Sequence, residues 1–385
     1  MENILKKINK KEAVFILVFI CAMAVLIFLP TGFEKQIYVN AEGVKAKVVE
    51  VNDSGVYNNG LIKQGAQNCK ILILTGSHKG ETVDAQNLYI GKLEFDKTFS
   101  VGDIAWVLLD RDENNNIIYA NMIEHYRIDK EIALIAIFAV LIIIFSGFTG
   151  VRTILSFAFA LLSIWKILIP GLLHDINPML VALFVGNIIT VATLLLVAGF
   201  TPKAFCAISG AVCCSLLTCL AAEIWGRIFN IHGAVMQWSE SLLYSGFEHL
   251  DLTSIFQAGI YLACSGAVLD LSIDIAAALD EIVLKSPAIS RRELIFSGLT
   301  IGKAVMGSQT TTLLLAYMGG YISVMMVYMA QGTPMLNIFN SKSIAAEILQ
   351  TFVGCIGLVL VSPITAGVCG IVYKRKPAKV ENSIE

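Results

Sequence analysis

Residues 265–281 read Ser-Gly-Ala-Val-Leu-Asp-Leu-Ser-Ile-Asp-Ile-Ala-Ala-Ala-Leu-Asp-Glu, with carboxylates set into a long apolar stretch. A charge at the centre of a membrane helix costs about 2.5–3.5 kcal/mol on insertion scales, so a chain that keeps one pairs it, hydrates it or uses it. At 100° per residue, Ala263, Gly266, Asp270, Asp274, Ala277 and Glu281 fall on one helical face. Every member is small or acidic. Small residues admit a neighbouring helix, which turns the acids toward protein instead of lipid. Asp280 points elsewhere and is expected to be solvated.

Two more stripes match this one. Lys303, Gly307, Thr310, Tyr317 and Tyr321 share a face, beside the run Ser308-Gln309-Thr310-Thr311-Thr312. Those hydroxyls can bind freed backbone carbonyls, which predicts a local break in the helix there. Glu347, Thr351, Gly354 and Thr365 form the third stripe, with a kink expected at Pro363. The transport or coupling candidates are therefore Asp270, Asp274, Lys303, Ser308, Gln309, Thr310 and Glu347. Three chemistries fit them: a structural ion pair of Asp270 or Asp274 with Lys303 at the inner interface, a carboxylate that titrates in an ion or proton path, or direct contact with a substrate.

The elements that must carry these stripes are membrane helices. The 385 residues are 56% hydrophobic and 15% charged, with a mean hydropathy of +0.73. A soluble domain carries about 25% charged residues. Eight spans are predicted at about 13–30, 131–148, 152–170, 177–199, 203–224, 254–275, 301–329 and 345–372. Lys6, Lys7, Lys10, Lys11, Arg152, Lys203, Lys285, Arg291, Arg292, Lys374, Arg375, Lys376 and Lys379 then fall on one side, against Arg227 and Lys342 in short outer loops. This asymmetry puts both termini in the cytoplasm. No small-residue cleavage site follows the first span, so it reads as a retained anchor. Asp270 lies about 24 Å along the sixth span from its outer end, in the inner third, and Lys303 comes in from the inner side at similar depth. Glu347 is placed near the outer face.

The chain divides into 1–30 (cytoplasmic N-terminus and first anchor), 31–130 (an outer β-rich domain), 131–373 (a seven-helix bundle) and 374–385 (a basic cytoplasmic tail). In the insert, Val44–Val51, Cys69–Leu74, Ile104–Leu109 and Ile117–Ala120 read as strands, separated by turns such as Asn58-Asn-Gly60 and Asn114-Asn-Asn116. A five- or six-stranded OB-like barrel is expected, either structural or gating, or capturing a ligand. The fold class is thus a polytopic α-helical membrane protein with a small extracytoplasmic all-β insert.

Other classes find little support. A net charge of −2 with no basic stripe argues against a nucleic-acid partner. No Walker A motif is present, so ATP is not the direct energy source. No HExxH, GxSxG elbow or intramembrane Cys–His pairing occurs, and all five histidines fall outside the predicted spans, so no enzyme and no cofactor are expected. Cys206, Cys213, Cys214 and Cys219 lack a CxxC pair and read as packing residues. His232, Glu240, Glu248, His249 and Asp251 match no metal motif and read as a solvated loop, so no metal site is expected.

The segments Ser265-Gly-Ala-Val-Leu-Asp270 with Ser272-Ile-Asp-Ile-Ala276, Gly302-Lys-Ala-Val-Met-Gly-Ser-Gln-Thr-Thr-Thr312, and Ser343-Ile-Ala-Ala-Glu-Ile348 with Pro363-Ile-Thr-Ala366 resemble the YibE/F family of bacterial multipass membrane proteins. The resemblance implies one anchor, an outer insert and a helical bundle in the bacterial cell membrane; it supplies no substrate. The family pattern at 302–312 carries an Arg-Asp pair where this chain has Lys303 and Ala304, which removes any role needing that pair here. A secondary transporter or permease of a small solute or ion is the first expectation. The alternative is a non-transporting scaffold or assembly factor whose outer domain docks a partner. The expected partners are the lipid bilayer, that solute or ion, and a second copy of the chain or another membrane protein.

Overall fold

A computed structural model describes residues 10–34 and 40–373. The first lysines and the basic tail used to orient the chain lie outside the described residues. The chain separates into two compact units, Glu34–Ile142 and the union of Met1–Phe33 with Ile143–Glu385.

The smaller unit is a closed five-stranded barrel built from β1 (Ala41–Asn59), β2 (Ile62–Ile73), β3 (Thr82–Ile90), β4 (Ile104–Arg111) and β5 (Ile117–His125). The strand order around it is β1-β2-β3-β5-β4, with β4 closing antiparallel on β1 and β3 meeting β5 in parallel at Gln86 and Asn121. Alternation explains the barrel: Val44, Ala46 and Val48, then Ile71 and Ile73, then Ala105, Val107 and Leu109 all point inward and are buried. The strand β3 lay outside the sequence reading because two of its inward positions are not aliphatic. Asn87 is fully buried, and its amide donates to Gln67 Oε1 (3.1 Å) and to the Lys97 carbonyl (2.7 Å). Gln67 in turn donates to the Phe99 carbonyl and accepts from the Phe99 N–H, each at 3.0 Å. This hydrogen-bonded polar pair holds residues 97–99 across the barrel, where the Phe99 ring completes the core.

The larger unit begins with α1 (Lys10–Phe28). After the barrel come α2 (Ile128–Ser163), a π-helical turn (Ile164–Leu168), α3 (Ile169–Leu173), α4 (Pro178–Ala198) and α5 (Pro202–Ile228). A 3₁₀ turn (Gly233–Val235) and α6 (Ser239–Tyr244) precede the long α7 (Leu252–Lys285) and α8 (Arg291–Ala330). The short α9 (Met335–Asn340) leads to α10 (Lys342–Tyr373). Among the described residues, six helical stretches are long and apolar enough to cross a membrane, and Val14–Phe28 is a shorter apolar helix. The second and third predicted spans fall on one 46-residue stretch, Ile128–Leu173. Its 46 residues are about twice what one crossing of the bilayer core needs. Its break is at Gly147, whose backbone (φ 57°, ψ −129°) suits a residue without a Cβ. At the π-helical turn, the Lys166 ammonium donates to the Leu29 carbonyl just past the end of α1 (3.0 Å).

Helix α7 is central and packs on α4, α5, α8 and α10. Its buried face runs through Ile260, Tyr261, Cys264, Val268, Leu271, Ile275 and Leu279. Polar side chains in this bundle repeatedly sit on a glycine of the neighbouring helix. A Cβ at Gly302 would lie 1.7 Å from Ser362 Oγ, at Gly210 2.3 Å from Thr365 Oγ1, at Gly226 2.4 Å from Gln257 Nε2, and at Gly186 2.6 Å from the Tyr261 hydroxyl. The missing side chain lets the backbones close around each polar group.

Candidate functional site

The acidic stripe lies on the exposed side of α7. Ala263, Gly266, Asp270, Asp274 and Glu281 are all exposed, and the bulky apolar face described above takes the packing position instead. The reading that small residues turn the acids toward protein is therefore corrected: within one chain, burial of Leu271, Ile275 and Leu279 outweighs the close approach that Ala263 and Gly266 would permit. Lys303 is also exposed. It makes no ion pair with Asp270 or Asp274, although Gly302 packs against Ile275 and so puts Lys303 level with Asp274. Glu281 pairs instead with Lys285, one turn on (2.9 Å). Asp280, expected in solvent, is half-buried and faces Tyr373, beside the Cys206 and Cys369 thiols.

The expected break in α8 is absent; the helix runs unbroken through 308–312. Ser308 Oγ donates to the Val305 carbonyl (2.9 Å), Thr310 to Met306 (2.8 Å), Thr311 to Gly307 (3.1 Å) and Thr312 to Ser308 (3.0 Å). These carbonyls already belong to the helix, so the hydroxyls are satisfied without opening it. Gln309 and Thr310 are half-buried and Ser308 is exposed. The helix α10 likewise continues through Pro363.

A polar column that the sequence reading missed runs between α4, α5 and α7. It opens as a funnel of about 440 Å³ lined by Asn177, Glu223, Arg227, Asp251, Ser254 and Gln257, among others. Asp251 caps α7 by accepting from the Thr253 and Ser254 N–H groups (3.0 and 3.1 Å). Burial alone would raise its pKa; the hydrogen bonds from Ser254 and Thr253 outweigh that and hold it below the ordinary carboxylate value. Glu223 and Arg227 pair at 2.5 Å. One turn deeper lies a cavity of about 10 Å³, lined by Thr190, Ser215, Thr218, Tyr261, Cys264 and Ser265. That is room for about one water. Ser215 Oγ donates to Asn187 Oδ1 (2.9 Å), and the Asn187 amide donates to the Leu183 carbonyl (2.9 Å). The Tyr261 hydroxyl lies beside Ser215 and has no partner in bonding geometry. The signal for this column was present as helical spacing: Asn187 and Thr190, Ser215 and Thr218, then Gln257, Tyr261 and Ser265. Uncharged residues at that spacing resemble ordinary small-residue packing, and only the convergence of three helices separates the two.

Glu347 is the one predicted candidate carboxylate that the fold buries, at 3% exposure. It sits on α10 with Gln350, Thr351 and Cys355, and faces Tyr317 and Tyr321 of α8. Its Oε1, the Thr351 hydroxyl and the Tyr317 hydroxyl, which lies beside Gln350, are all buried without a partner in bonding geometry. Among the described residues no three His, Cys, Asp or Glu side chains cluster as a metal site.

A helical membrane bundle with polar interior sites, joined to a small β-barrel, defines a polytopic membrane protein. The model of the YibE/F-like protein family matches residues 134–375, and the chain belongs to that family. No curated protein and no solved structure matches it.

Proposed function

We propose that this chain is a secondary transporter or permease that moves a small polar solute or ion across a bacterial cell membrane. The observation that carries this reading is the polar lining of the 440 Å³ funnel and, one turn deeper and separate from it, the small cavity bordered by Thr190, Ser215, Thr218 and Ser265. Such a lining is costly in a helix bundle that only anchors a domain. In this reading the chain crosses eight times, with Gly147 separating the second and third crossings and both termini in the cytoplasm. The five-stranded barrel then lies outside, and its strand order with the parallel β3–β5 contact supports reading it as OB-like. Uptake and export of a solute and ion panel in proteoliposomes tests the reading. Ser215→Val and Gln257→Leu are expected to lower the flux of the transported species at least tenfold while thermal stability holds. Flux of every solute equal to that of protein-free vesicles overturns it.

The exposed candidates take a different part. We infer that a second copy of the chain covers the faces of α7 and α8 that hold Asp270, Asp274 and Lys303. Opposite charges at one level let a two-fold axis along the membrane normal bring Lys303 of each copy to the carboxylates of the other. Gly266 and Gly307 leave open space on these helices, which admits close approach. In nanodiscs, Asp270→Lys with Asp274→Lys is expected to yield single chains, and adding Lys303→Asp is expected to restore pairs. Single chains in the unmodified protein count against it.

A scaffold reading draws on a groove of about 570 Å³ on the barrel, lined by Glu50, Lys70, Asp84, Gln86 and Tyr119 among others. Deleting residues 40–125 separates the two: a scaffold loses its phenotype, while a transporter keeps its flux.

A further inference from the structure

The Glu347 carboxylate raises a question of charge that the transport reading leaves open. It lies five residues into α10, about 7.5 Å along the helix, and it is 3% exposed. No Lys, Arg or His forms an ion pair with it among the described residues. From α8, Tyr317 and Tyr321 face it; from α7, Cys264 approaches Tyr317; its own helix adds Gln350, Thr351 and Cys355. The helix α9 and the 3₁₀ turn that also pack on α10 carry no titratable side chain. Helix α5 shares an apolar cluster with this end of α10 (Ala222 with Ala346, Leu349 and Val353), and its charged residues there, Glu223 and Arg227, pair with each other. A bare carboxylate in such surroundings is strongly disfavoured, so it holds a positive charge or loses its own.

Three oxygens mark where that charge goes. Glu347 Oε1, Thr351 Oγ1 and the Tyr317 hydroxyl, which lies beside Gln350, are buried and have no partner in bonding geometry, from two helices. All are hard donors, and both hydroxyls can accept as well as donate. A single carboxylate balances a single positive charge. A calcium ion would need several carboxylates among six to eight oxygens, and soft metals would need thiolate or imidazole ligands. We infer that Glu347, Thr351 and Tyr317 form a binding site for one monovalent cation, a proton or Na⁺, between α8 and α10. With a proton, the Glu347 carboxyl donates to a neighbouring hydroxyl. With Na⁺, the carboxylate and the two hydroxyl oxygens ligate it. The site stands apart from the transport reading, since binding can occur in a chain that moves no solute.

Dicyclohexylcarbodiimide, which attacks protonated carboxyls in apolar surroundings, tests it on the full-length protein in nanodiscs, with the modified residue located by mass spectrometry. Glu347 is expected to be labelled near pH 6 and progressively less as the pH rises. Protection by NaCl at fixed pH, but not by choline chloride, identifies Na⁺; response to pH alone identifies the proton. Glu347→Gln keeps the shape and removes the label at this position. Thr351→Val and Tyr317→Phe keep the carboxylate and are expected to shift the labelling midpoint by about one pH unit or the protecting NaCl concentration about tenfold. No labelling of Glu347 at any pH between about 5 and 9, or labelling indifferent to pH, to NaCl and to both hydroxyl variants, overturns the site.

Discussion

At the residue scale, the same side-chain types have opposite fates according to what meets them. Glu42 in the barrel accepts from the Ser77 hydroxyl and from the Ser77 N–H (3.0 Å), and pairs with Arg111 at 3.1 Å. The Ser77 hydroxyl, more than Arg111, holds its carboxyl below the ordinary value. Because the folded pKa is the lower one, Glu42 adds stability above the ordinary carboxylate pKa, and this is lost as pH falls through the folded value. Hydrogen exchange of β1 and β4, corrected for intrinsic rates, is expected to lose protection on acidification in the unmodified chain and less so in Glu42→Gln. Identical profiles in the two would refute this. Tyr261 is the converse case, a buried hydroxyl without a partner. Removing an unsatisfied group costs little, so Tyr261→Phe is expected to stay within about 1 kcal/mol of the parent in thermal melts. A flux that falls while the melt holds assigns that hydroxyl to the solute path.

At the element scale, the glycine seats make the sharpest forecast. A methyl at Gly302 or Gly186 collides with Ser362 or Tyr261, whereas one at Gly307 meets nothing within 4 Å. Overpacking of this kind costs about 1–3 kcal/mol. Gly302→Ala and Gly186→Ala are expected to melt several degrees below the parent in detergent, and Gly307→Ala at or above it, since alanine favours a helix by up to about 1 kcal/mol. The helices themselves were legible, because apolar runs of that length have few other uses. Their facing was not. Residues 260–281 carry two plausible faces, one small and acidic, one bulky and apolar, and periodicity alone ranks neither. The neighbours decide, and α4, α5 and α10 take the bulky face. Likewise Glu347 was picked out by its charge, while its burial came from Tyr317 and Tyr321 on a different helix.

At the scale of the whole molecule, the proposed topology places Ser77 outside and Ser286, between α7 and α8, in the cytoplasm. In a chain lacking native cysteines, a membrane-impermeant maleimide is expected to label Ser77→Cys in intact cells and Ser286→Cys only after permeabilisation. The reverse pattern would invert the orientation. The tie between Lys166 and the Leu29 carbonyl sets a timetable for biogenesis. The two residues are 137 positions apart, with the barrel between them. At about 5–20 residues per second, the end of α1 waits roughly 7–30 s of synthesis for its lysine. The anchor must therefore hold in the bilayer by itself while the barrel is exported and folded. The tie closes only when the bundle is under construction, which makes it a late check on assembly. In a pulse–chase, Lys166→Met is expected to insert at the normal rate but to remain protease-sensitive for longer.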